Sequence, residues 1–96
     1  MERSCRNNLK KIKAHSKEIK SLIYNDIIIK NSGYGELAWT FALMNRDTQV
    51  YAFEADYDKY LIASHCSHIP QNLHFMKEEK DLPLYVYIID CQSFLR

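Results

Sequence analysis

The stretch Ile27-Ile28-Ile29-Lys30-Asn31-Ser32-Gly33-Tyr34-Gly35-Glu36-Leu37 decides the fold. A β-branched apolar run stops, a Gly-x-Gly turn follows, and an amphipathic stretch runs from Glu36 to Met44. The chain has only two glycines, and both fall at this junction. Three consecutive isoleucines, with no polar alternation, suit a strand buried on both faces. Glycine lets the backbone approach a ligand closely, and a helix starting there offers unpaired N–H groups. Nineteen residues after Gly35, a second apolar run (Val50-Tyr51-Ala52-Phe53) ends in Glu54. An acid after strand two is placed to hold a ribose diol. This is the layout of a nucleotide site at the first βα turn of a doubly wound sheet.

Working outward, residues 6–23 are predicted to form one helix, because Leu9, Ile12, Ile19 and Ile23 recur near helical spacing, with Ser16 filling one turn. Asn25-Asp26 breaks it. Downstream, Leu37, Phe41 and Met44 form the stripe of the next helix, with Ala38 and Ala42 beside it for close packing, and Asn45-Arg46-Asp47 closes it. Asp56 caps a third helix that runs to about Cys66, and Ile69-Pro70-Gln71-Asn72 ends it. Leu73 to Met76 reads as a third strand, and Leu84 to Ile89 as a fourth that ends in Asp90-Cys91. Between them, Glu78 to Asp81 is a charged loop, so the crossover helix is either very short or replaced by Lys80-Asp81-Leu82-Pro83. Strands alternating with short helices predict right-handed crossovers and an α/β fold with a short, Rossmann-like parallel sheet of four strands in the order 3-2-1-4. The expected organisation is one domain, with a basic N-terminal helix over 1–23 and the core over 24–92.

Ninety-six residues make one small domain. With 47% hydrophobic and 26% charged residues, the chain is globular and not disordered. No apolar run is long enough to cross a bilayer, and Met1-Glu2-Arg3-Ser4-Cys5-Arg6 is too polar to open a secretory signal. Three cysteines (Cys5, Cys66, Cys91) without CxxC spacing fit a reduced, cytoplasmic setting. His65-Cys66-x-His68 lacks a second ligand pair and reads as a helix end with solvent-facing histidines, so no metal is expected. The net charge of +1 hides an asymmetry: residues 1–30 carry eight Lys/Arg against three acids, and residues 31–96 carry five against nine. Lys10, Lys11, Lys13, Lys17 and Lys20 read first as a solvated face. Attraction to an anionic membrane surface beside a parent protein is the second reading. Nucleic acid is a weaker third, since no aromatics interleave with the lysines.

Over about residues 24–92, the chain resembles the first half of a class I S-adenosylmethionine-dependent methyltransferase. In that family's first motif, an acid precedes Gly-x-Gly-x-Gly; the last two glycines match Gly33 and Gly35, the first falls on Asn31, and the acid falls on Ile29. The ribose-binding acid matches Glu54, and Glu54-Ala55-Asp56-Tyr57-Asp58 is similar to the family's run into the next helix. The carboxylate near the adenine falls on Glu79 or Glu78, and the strand-four position that often begins the catalytic motif falls on Asp90. The resemblance thus implies S-adenosylmethionine as ligand, held by Asn31, Gly33, Tyr34, Gly35, Glu54 and Glu79.

The departures imply a degenerate site. Ile29 supplies no carboxylate for the methionine amino group, and Asn31 adopts positive φ less readily than glycine. Asp90-Cys91-Gln92-Ser93 is not an Asn-Pro-Pro-Tyr motif, and Asp90 is a lone acid with no base partner. The chain ends at Arg96, just after strand four, so the strands that would complete an acceptor pocket are expected elsewhere or absent. Weak cofactor binding without turnover is the expectation, and no catalytic residue is assigned. A fainter resemblance joins Cys5-Arg6-Asn7-Asn8-Leu9-Lys10, Asn31-x-Gly33-Tyr34-Gly35-Glu36 and Glu54-Ala55-Asp56-x-Asp58-Lys59 to methyltransferase-like tails on large bacterial polypeptides linked to lipid or exporter functions. It implies a C-terminal domain of a longer chain. The remaining aromatics, Trp39, Phe41, Tyr51, Tyr57, Tyr60, Tyr85 and Tyr87, read as packing residues. An open edge at strand four predicts self-association or contact with a parent chain there.

Overall fold

A computed structural model of the chain describes residues 2–78 and 86–95, with side chains from Asn8 onward. Helices α1 (Glu2–Ala14) and α2 (Ser16–Leu22) precede strand β1 (Ile27–Lys30). Then come α3 (Glu36–Met44), β2 (Val50–Phe53), α4 (Tyr57–Ser64), β3 (Leu73–Met76), β4 (Tyr87–Asp90) and α5 (Cys91–Phe94). The four strands form one parallel sheet in the order β3-β2-β1-β4, flanked by helices. This is the α/β, Rossmann-like architecture predicted from the sequence.

Register explains where the core lies. Ile27 and Ile29 pair with Val50 and Ala52 on one side and with Tyr87 and Ile89 on the other. Side chains alternate along a strand, so Ile27, Ile29, Val50, Ala52, Leu73 and Ile89 share one face, where they join Leu37, Ala38, Phe41 and Ala42 of α3 and Ile12 and Ile19 of the N-terminal helices in a single buried cluster. Strand β1 is buried through all three isoleucines, as a central strand must be. On β2 burial alternates instead, with Tyr51 and Phe53 only half-covered on the opposite face. There Tyr51 stacks on His74 at 5.1 Å.

The sequence reading needs correction in several places. The single helix expected over 6–23 is two helices, broken at His15 (φ −101°, ψ 17°). The His15 amide is shared between the carbonyls of Lys11 and Ile12, both at 3.1 Å, and its Nδ1 donates to the Lys11 carbonyl at 2.7 Å. The side chain thus competes for the bond that would continue the helix, while its ring packs 5.5 Å from that of Phe94. Leu9 and Met44, assigned to apolar stripes, are exposed; the buried face of α3 runs through its two alanines, which bring it close to the sheet. Helix α4 ends at Ser64, two residues early, where the His65 amide closes the last turn on the Leu61 carbonyl. Strand β4 reaches Asp90, and the four-residue α5 was not foreseen. Residues 84–85, including Tyr85, and the Lys80-Asp81-Leu82-Pro83 segment lie outside the described residues. Among the described residues, no helix is long and apolar enough to cross a membrane.

Candidate functional site

The chain leaves β1 towards β2 and β3 on one side, and β4 pairs with β1 on the other. Loops at the carboxyl ends of β1 and β4 therefore diverge, and such a switch point opens a crevice in a parallel sheet. A cleft of about 280 Å³ lies there. Its floor is Asn31, Ser32, Gly33 and Tyr34 after β1, with Glu54 after β2 and Lys59 of α4 on one side. Asn8 and Lys11 of α1, with Cys91, Gln92 and Leu95 at the C-terminal end, form the other.

The β1–α3 turn holds Asn31 (φ 53°), Gly33 (φ 60°) and Gly35 (φ 90°) in the left-handed region. Asparagine and glycine are the residues that adopt it at least cost. The Ser32 amide donates to the Phe53 carbonyl at 3.1 Å, and the Gly35 amide donates to the Ser32 carbonyl at 3.0 Å. The two glycines then differ. A Cβ on Gly33 would meet nothing within 4 Å, on the side where the residue lines the cleft. A Cβ on Gly35 would lie 2.8 Å from Phe75 Cε1. Gly35 starts α3 and lets it pack on the sheet; it is not part of the cleft lining.

Glu54 is buried, with 9% of its surface exposed. Its Oε1 accepts the Gly33 N–H and its Oε2 accepts the Asp56 N–H, both at 2.8 Å. The carboxylate ties the turn after β1 to the turn after β2. Each oxygen keeps acceptor capacity beyond these bonds, since an ionised carboxylate offers about four acceptor positions. Asp56, in turn, caps α4 by accepting from Asp58 and Lys59 amides. Asp90 serves as a cap as well: its Oδ1 accepts from Gln92 and Ser93 amides, and its Oδ2 accepts from Asn31 Nδ2 at 3.1 Å. That last bond joins the ends of β1 and β4 across the crevice.

Two features of the cleft were not legible in the sequence. Ser32 is 2% exposed, and its Oγ has no hydrogen-bond partner among the described residues. Burying an unpaired hydroxyl costs about 1–3 kcal/mol. Lys11, from a lysine face read first as solvated, borders the same space. Cys91 is buried against it, and burial together with the charges of Glu36, Asp90 and Glu54 pushes its thiol up to about 11. It is a neutral, poorly nucleophilic thiol at neutral pH.

Of the six positions inferred from the sequence, Asn31, Gly33, Tyr34 and Glu54 converge on the cleft, Gly35 sits behind it, and Glu79 lies outside the described residues. No three His, Cys, Asp or Glu side chains gather to hold a metal among the described residues. Compared with known proteins, the chain matches no family model, no curated protein and no solved structure.

Proposed function

We propose that this chain is a methyltransferase-like, nucleoside-binding domain whose adenosylmethionine site is degenerate, and that it binds without transferring a methyl group, as an appended or interaction domain. The observation that carries this reading is the convergence of Asn31, Ser32, Gly33, Tyr34 and Glu54 on one polar cleft at the switch point of the sheet. Glu54, oriented by two backbone N–H groups, presents its remaining acceptor positions to a ribose diol. The methionine end fares worse. Ile29 is fully buried in the core, so the position of the family's first acid offers no partner to an ammonium group, a loss of about 1.5–3 kcal/mol for one charged hydrogen bond. Asp90 is tied to α5 and Asn31, and the Cys91 thiol stays protonated and so is no ready base. A cytoplasmic setting fits the free thiols of Cys66 and Cys91. The exposed β4 edge is the surface for a second copy or a parent chain.

Isothermal titration of adenosine, S-adenosylmethionine and its demethylated product tests the reading, on the native chain and on Glu54→Ala. Adenosine should bind, S-adenosylmethionine should bind no more tightly than about 100 μM without turnover, and Glu54→Ala should weaken both about tenfold or more. Low-micromolar S-adenosylmethionine binding with methyl transfer would make it an active methyltransferase whose acceptor site a partner completes. No binding of any adenosyl compound would leave a ligand-free structural module.

A further inference from the structure

A second recess, of about 370 Å³, lies between the N-terminal helices and α3 and shares no residue with the nucleoside cleft. Ile12 and Ile19, both buried, form its floor, and Leu9 of α1 and Met44 of α3, both exposed, form its apolar walls. Thr40 also lines it, but its hydroxyl is already donated to the Glu36 carbonyl at 2.9 Å. Along one rim stands a row of lysines. Lys10, Lys13, Lys17 and Lys20 recur at i, i+3, i+7 and i+10, each one residue on from Leu9, Ile12, Ser16 and Ile19. Helical geometry therefore sets a basic row beside the apolar one. The bend at His15 does not interrupt the rows, because the His15 amide bonds back to Lys11 and the Ile19 amide to His15. All four lysines are exposed, and none forms an ion pair among the described residues. Lys13 and Lys20 each sit in the last turn of a helix, where a cation is favoured; that does not account for Lys10 and Lys17 in the same row.

We propose that this groove docks an acidic amphipathic helix of a partner protein, its apolar side chains in the recess and its acids against the lysine row. The surface is separate from the nucleoside cleft, and the proposal does not depend on what the cleft binds. Charge complementarity fixes the sign of the partner. The lysines stand on one rim only, since α3 carries no charged residue from Leu37 to Met44, so the partner needs acids along one flank and apolar groups beside them. Its backbone fixes the conformation. Both walls are helices whose own N–H and C=O groups are paired internally, so the docked segment must satisfy its backbone itself, as a helix does. From Lys10 to Lys20 the row spans about 15 Å, roughly three turns of a partner helix. A bilayer fits less well. An interfacial helix turns its apolar face outward to the lipid, whereas Ile12 and Ile19 lie recessed in the core cluster, within reach of an inserted side chain.

The test is titration of the full, isotope-labelled chain with three probes. The first is a lactam-bridged helical peptide, about four turns long, with leucines on one face and glutamates along its flank. The second is its counterpart with lysines for the glutamates, and the third is mixed phosphatidylcholine–phosphatidylserine vesicles. The glutamate peptide should bind at least tenfold more tightly than the lysine peptide at 20 mM NaCl, and the gap should narrow at 200 mM as charges are screened. Its amide shifts should fall on residues 9–20 and 40–44. Lys13→Glu with Lys17→Glu should reverse the preference between the peptides, and Met44→Ser should weaken the glutamate peptide severalfold. These side chains are exposed, so both variants are expected to fold; the amide shifts of the native chain decide the location in any case. Vesicles should not retain the chain. Shifts centred on β4 or on the nucleoside cleft, equal binding of the two peptides, or no binding of the glutamate peptide would each overturn the proposal. Vesicle binding abolished by Lys13→Glu with Lys17→Glu would assign the row to a membrane surface and overturn it too.

Discussion

Single residues in the β1–α3 turn differ in what they contribute, and the two glycines show it. Gly33→Ala places a methyl group in open space at φ 60°, a left-handed strain of about 1–2 kcal/mol. Gly35→Ala adds to its φ of 90° a 2.8 Å approach to the Phe75 ring, which must move or push α3 off the sheet; about 2–4 kcal/mol is expected. Urea midpoints of the two variants should separate in that order. Cys91 makes a pH prediction. Its folded pKa is raised from 9.0 to about 11, so the unfolded chain releases the proton first as pH rises. Its contribution to stability is complete below pH 9 and is lost between about pH 9 and 11. Chemical denaturation across that window should show a shallower fall for Cys91→Ala than for the native chain; parallel slopes would contradict the shift.

Elements are joined by side chains that local sequence gives no reason to single out. Asn72, in the loop before β3, is 4% exposed, and its Nδ2 faces the carbonyls of Ala42, Asn45 and Thr48 at 2.9–3.1 Å. It closes the C-terminal end of α3 and the turn into β2. The sequence reading took Ile69-Pro70-Gln71-Asn72 as a helix stop, which is its local role; the three carbonyls come from residues 24 to 30 positions away. Asn72→Ala leaves those acceptors without their donor and is expected to cost about 2–3 kcal/mol. Asn72→Asp, which replaces the donor with a charge, should cost more. Thermal denaturation of both variants checks the order.

At the scale of the whole molecule, coverage of the sheet is uneven. Strand β1 is enclosed, but at the β4 edge Tyr87 is 50% and Ile88 57% exposed, on opposite faces of the strand. An edge with apolar side chains and open backbone groups is a template for pairing. The chain is therefore expected to self-associate through β4 at high micromolar concentration, and Ile88→Lys should shift sedimentation towards the monomer. A native chain that stays monomeric there would refute this.

What the sequence determined by itself is the run from Ile27 to Met76. Three isoleucines, the Gly-x-Gly turn, the alanine-backed helix and the Asp56 cap act over a few residues each, so their order was enough to place β1, α3, β2, α4 and β3 and, with the apolar run up to Ile89, to predict the 3-2-1-4 sheet. Local periodicity failed where a side chain overrides it or an element is too short to show it. His15 breaks a periodic helix through a bond of its own side chain, and α5 is too short to show a period and depends on Asp90 for its cap. The cleft divides in the same way. Its floor was legible because glycines and an acid after a strand carry local meaning. Its walls were not: Lys11 borders it only because α1 packs beside α3, and Ser32 stands unpartnered only because the turn folds it beneath the surface. Tertiary structure alone decided that Glu54 would clamp two turns before meeting any ligand, since its two donors become neighbours only when β1 and β2 pair.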